Sequence, residues 1–173
     1  MTKIIDDHFE IEVDDLIPDE EIGHHLRLKK FLNIAKNLTQ YSLFDTYKFG
    51  AVITVKDKVV AKGWNKAKSH PMQKQFNNEF RSHMHDNSEH GIHAELDALN
   101  KIKNMNIDLK KAEITIYRIG KDGKPKMGRP CAGCMAAIKQ SGIPIINYTT
   151  PDGIATEFIL NKDVKVKKSK KTI

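Results

Sequence analysis

Two stretches of the chain repeat apolar residues at helical spacing. In "HLRLKKFLNIAKNLTQYS", Leu28, Phe31, Leu32, Ala35 and Leu38 line one face of an amphipathic helix, and "IHAELDALNKIKN" does the same through Ile92, Leu96, Leu99 and Ile102. Between them, "YKFGAVITVKDKVVAKGWN" holds two β-rich runs, Ala51 to Val55 and Lys58 to Lys62, joined at Asp57, which predicts a hairpin. Residues 64–91 have no clear period and are rich in Asn, His, Ser and Gln, so a long loop is expected there. "AEITIYRIG" alternates like a strand and "KDGKPKMG" is a turn-rich connection. Cys131 to Gln140 reads as a helix closed by Gly142, followed by a strand in "IPIINYTT". "PDGIATEFIL" reads as a turn and a short helix. The order α-β-β-α-β-α-β, with no internal repeat, is that of one α/β domain whose helices cover a sheet.

Composition changes this picture little. With 173 residues, 39% of them apolar and 29% charged, the chain suits one soluble domain. No apolar run approaches the ~20 residues that a membrane span needs. The leader "MTKIIDDHFEIEVDD" lacks the layout of a signal peptide, so a cytoplasmic protein is expected, and a structural disulfide is not.

The net charge of +7 hides an asymmetry. Residues 1–22 carry nine acids against Lys3, whereas "NKDVKVKKSKKTI" carries six lysines against Asp163. This divides the chain into an acidic extension (1–25), a domain (26–160) with a His/Asn-rich insertion at 68–91, and a Lys-rich tail (161–173). The tail is able to meet phosphates, but it has no aromatic residue on which a base could stack, so nucleic acid is not the favoured partner.

Both cysteines lie in "GRPCAGCMAAIKQSGIP". A Cys-x-x-Cys pair alone fits a redox dithiol, half a metal site or simple packing. A helix start after Pro130 would stabilise thiolates in either chemical role. His93 breaks the tie, because His93, Cys131 and Cys134 make a three-ligand set of the kind that leaves zinc an open catalytic position. Glu95 stands two residues on. Side chains two apart on a helix diverge by about 200°, so His93 and Glu95 share a pocket only off a helix N-terminus. Zinc lowers the pKa of bound water from about 9 toward roughly 7, and Glu95 would take that proton and return it to a leaving nitrogen.

"HAE" at 93–95 with "PCAGC" at 130–134 resembles the zinc motif of the cytidine/deoxycytidylate deaminase superfamily. "KFGAVITVKDKVVAKGWNKAKSHP" resembles that family's first hairpin, and the likeness extends over roughly residues 28–150. The resemblance implies a three-layer α-β-α fold, a mixed sheet with helices on both faces, and assembly as a homo-oligomer. It implies one catalytic Zn2+ held by His93, Cys131 and Cys134, with Glu95 as proton shuttle. It implies Asn65 and the Ala94 backbone as substrate contacts, although Asn65 could equally shape the end of the hairpin. His70 resembles a His-Pro element that approaches substrate in some deaminases. Trp64 reads as core or pocket wall.

The implied reaction is hydrolytic deamination of cytosine in a free pyrimidine nucleotide or nucleoside, dCMP first. The rivals are a tRNA adenosine or polynucleotide deaminase, a non-catalytic zinc-stapled domain and a thioredoxin-like oxidoreductase. His70, His83, His85 and His90 raise the question of a second metal, against which the insertion offers no cysteine. Lys68 and Arg81 are the candidates for a 5′-phosphate.

Overall fold

The computed structural model describes residues 2–6, 9–13, 19–81 and 91–159. The tail at 161–173 and His83, His85 and His90 lie outside these residues.

The leader forms an antiparallel pair, β1 (Thr2–Asp6) with β2 (Phe9–Val13). Then come α1 (Asp19–Leu38), β3 (Tyr47–Val55), β4 (Lys58–Trp64), α2 (Pro71–Phe80) and α3 (Ala94–Ile102). The chain continues as β5 (Ala112–Gly120), α4 (Ala132–Ser141), β6 (Ile145–Thr150) and β7 (Gly153–Phe158).

The main sheet has the order β4-β3-β5-β6-β7, with β5 and β6 parallel and the other neighbours antiparallel. Alternation along the strands sorts its two faces. Val52 and Tyr117 pack with Leu28, Leu32, Ala35 and Leu38 of α1 on one side. Ala51, Ile53, Ile114, Ile116 and Ile146 pack with α3 and α4 on the other. The result is the expected three layers with a mixed sheet.

Three local expectations change. Residues 71–80, expected as loop, form α2, which packs on α4 and α3. The stretch after Pro151, expected to end in a helix, forms the edge strand β7. The acidic leader, for which no element is expected from its pattern, carries β1 and β2.

Three backbone features shape the hairpin and the helices that carry the site. The β3–β4 turn puts Lys56 and Asp57 at φ 46 and 64, the left-handed values that match the twist of a two-residue hairpin. On β4, a side chain at Gly63 would collide with Ala94 O and Ala98 N. The start of α3 therefore lies directly on the β4 backbone. Gly142, at φ 88, closes α4 as a left-handed cap.

Candidate active site and metal centre

Two helix starts meet beyond one end of the strands, beside the start of β3 and the ends of β4 and β5. His93 is the N-cap of α3 and Cys131 the N-cap of α4, and neither side chain is used in capping. The segment before α3 is held by Lys66 N donating to Ile92 O at 3.0 Å and Ile92 N donating to Lys68 O at 3.1 Å. His93 N donates to Gln73 Oε1 at 2.9 Å, and Gln73 Nε2 donates to Asn77 Oδ1 at 2.9 Å. The backbone that carries the imidazole is thus anchored by buried polar groups of α2.

His93 Nδ1 lies 3.6 Å from Cys131 Sγ and 3.3 Å from Cys134 Sγ, and the three ligand atoms are all within 4.8 Å of one another. A tetrahedral zinc about 2.3 Å from sulfur and about 2.0 Å from nitrogen sets a nitrogen–sulfur edge of roughly 3.6 Å. The donor set and spacing therefore fit zinc, with one position left for water or substrate.

Without an ion, the three groups hold their protons unequally, and binding a metal would release those that remain. Hydrogen bonding from Cys134, with help from His93 and against burial, draws the Cys131 thiol down to about 3. Burial, with the Cys131 contact, pushes Cys134 well above the usual thiol value. Burial also pulls the His93 pKa down, but the Cys131 hydrogen bond and the charges of Glu95 and Cys131 leave it raised.

Glu95, in the first turn of α3, is 3% exposed. Burial raises its pKa above the ordinary carboxylate value, with the charge of His93 opposing. Glu95, His93, Ala94, Asn65 and Cys131 line one cavity of about 430 Å³, within the range of small-ligand pockets. Tyr47, Phe49 and Met127 complete its apolar wall, and Arg118 and Arg129 supply its cations.

The family profile for the cytidine and deoxycytidylate deaminase zinc-binding region matches residues 26–150. The chain belongs to that family. It is a zinc-dependent deaminase of the cytidine/deoxycytidylate type, acting on a C–N bond. No curated protein matches it by sequence. Among solved structures, the apo dCMP deaminase of cyanophage S-TIM5 is 20% identical, covering 70% of this chain and 80% of that one, with a TM-score of 0.47. The cytidine deaminase of Mycobacterium leprae is 16% identical, covering 74% and 91%, with a TM-score of 0.45.

The deaminase places its other expected residues unevenly. Asn65 lines the cavity and also ties the hairpin to β3, accepting from Phe49 N at 2.9 Å and donating to Tyr47 O at 3.1 Å. Ala94 opens α3, where a helix leaves its first amides without intrahelical partners. His70 is not among the lining residues. It is the N-cap of α2, with Nδ1 accepting from Met72 N at 3.2 Å, a structural use of the side chain.

The Lys66 and Lys101 ammonium groups lie 4.3 and 4.6 Å from the Trp64 ring centroid, and Trp64 packs against the α1 side. Lys68 and Arg81 do not line the cavity either. Sequence reasoning missed Gln73 and the two arginines. Arg118 carried a usable signal, since it continues the inward stripe Ile114, Ile116 of β5. Gln73 carried none.

Proposed function

We propose that this deaminase hydrolyses the 4-amino group of cytosine in a free pyrimidine nucleotide or nucleoside, dCMP foremost, giving uracil and ammonia. The observation that carries this reading is Glu95, a buried carboxylate with a raised pKa in the cavity that His93 and Cys131 also line. A structural metal site has no use for such a group and closes with a fourth protein ligand.

His93, Cys131 and Cys134 would hold zinc, which when bound would supply Lewis-acid activation of water at neutral pH. Glu95 takes the proton from the attacking water and delivers it to the nitrogen leaving C4. Its raised pKa suits both halves of that transfer. The Ala94 amide at the start of α3 donates to the base, and Asn65 meets the sugar side with donor and acceptor capacity beyond its two backbone bonds. Tyr47 and Phe49 wall the ring, keeping the proton transfer away from bulk water.

An ammonia-release panel on zinc-loaded protein, comparing dCMP, deoxycytidine, cytidine and tRNA, tests the reading. Release from the small cytosine substrates is expected, and activity confined to tRNA overturns it. Glu95→Ala is expected to lower turnover by about 10²–10⁴-fold while zinc content stays near one per chain. Undiminished turnover in that variant removes Glu95 from the chemistry.

A further inference from the structure

On the face of β5 that packs against α3 and α4, Ile114 and Ile116 are fully buried, and the next position on that face is Arg118. A cation thus ends an inward apolar stripe at the cavity wall. Phe49, its cross-strand partner, holds the guanidinium, with Cζ 5.3 Å from the ring centroid. The return loop holds one nitrogen, as Nη1 donates to Met127 O at 3.2 Å.

What remains of the guanidinium is unused. No carboxylate among the described residues pairs with Arg118, and its Nε is buried there without a hydrogen-bond partner. The Nε edge is one through which arginine grips phosphate or carboxylate in a bidentate way, and a buried donor left unmade is costly. The neighbouring Arg129 differs, since its Nε and Nη2 donate to both carboxylate oxygens of Glu157 at 2.6 and 3.0 Å. Lys66 and Lys101 are likewise occupied by Asp97, at 2.7 and 3.2 Å. One cation of the cavity therefore lacks an anion.

We propose that Arg118 takes the 5′-phosphate of a pyrimidine nucleoside monophosphate, making a nucleotide rather than a nucleoside the substrate of this site. The proposal rests on the cytosine-deaminase reading above. A single unpaired guanidinium suits a single phosphate, and it lines the same cavity as Ala94 and Glu95, which serve the base.

The test compares kcat/KM for dCMP, deoxycytidine and a cytosine-containing oligodeoxynucleotide in zinc-loaded wild type, Arg118→Gln and Arg118→Lys. Glutamine keeps a stem against Phe49 and removes the charge; lysine keeps the charge and loses the fork. The wild type is expected to prefer dCMP. Arg118→Gln is expected to lose about 10- to 100-fold on dCMP, mostly through KM, and to stay within about twofold on deoxycytidine, with Arg118→Lys between.

Titration with dUMP gives a readout apart from turnover, with affinity falling in Arg118→Gln by a similar factor. Equal losses on dCMP and deoxycytidine, or none on dCMP, overturn the role of Arg118, as does a wild type that prefers the oligonucleotide. A wild type that deaminates neither dCMP nor deoxycytidine overturns the cytosine reading itself, and the inference with it.

Discussion

Glu95 is held where a carboxylate is least comfortable, and that discomfort is measurable without substrate. Burial raises its pKa in the folded protein above the ordinary value of 4.5. Below that value both folded and unfolded chains carry the proton, and the residue costs the fold nothing. As pH rises, the unfolded chain ionises first, so the contribution of Glu95 to stability falls until the folded value is passed. Metal-free Glu95→Gln, which never ionises, is therefore expected to melt above wild type at neutral pH and to converge with it toward pH 4. Thermal melts of the two apoproteins across that range decide it. A constant gap at every pH separates the effect from ionisation. A residue that lowers stability at the pH where it is needed follows the usual exchange of stability for activity.

The element with the largest unexpected role is α2. Its fully buried residues are Gln73, Phe76 and Asn77, and its apolar row of Met72, Phe76 and Phe80 is short and set among glutamines and asparagines, so it does not stand out from the polar segment around it. Pro71 at the first position was its only start signal. By contrast α1 and α3 bury regular apolar rows, and their presence was legible from spacing alone. The His93, Cys131 and Cys134 cluster was legible for a different reason, since zinc chemistry restricts which residue types can stand at those positions. Gln73 acts through the folded geometry, joining segments far apart in the chain, and no local pattern encodes that, whereas Arg118 is marked only by ending the inward stripe of β5. β7 was misread because its side chains are only partly buried, which blurs the alternation of a strand. Gln73→Ala removes the acceptor for His93 N and the donor to Asn77. Zinc affinity is expected to drop about 10- to 100-fold, the range for lost supporting groups around a metal, measured by competition with a chromogenic chelator. Unchanged affinity would show that α2 packs beside the site without aiming it.

Taken as a whole, the molecule joins its two outer helices on one face of the sheet through the ligand set. α3 supplies the imidazole and α4 both thiols, while the contact between the helices is otherwise modest. Binding confined to the native state stabilises it in proportion to the logarithm of free ligand. Chelation is accordingly expected to lower the melting temperature, and added zinc to raise it progressively. A melting temperature indifferent to zinc would mean that the three ligands do not close on the ion in the folded protein.

The central position of β5 reaches into the history of each molecule. β3 pairs with β5 from Tyr47 opposite Gly120 to Val55 opposite Ala112, so the two strands enclose the whole segment that carries α2, α3 and His93. That segment must be looped out, at an entropic cost, before the ladder can form. During synthesis His93 leaves the ribosome well before the thiols do, and the thiols wait for closure. Until the sheet closes they are open to oxidants and to softer, tighter-binding ions such as copper. Loading with the right metal is then a contest of rates, and the topology of the sheet sets how long that contest lasts.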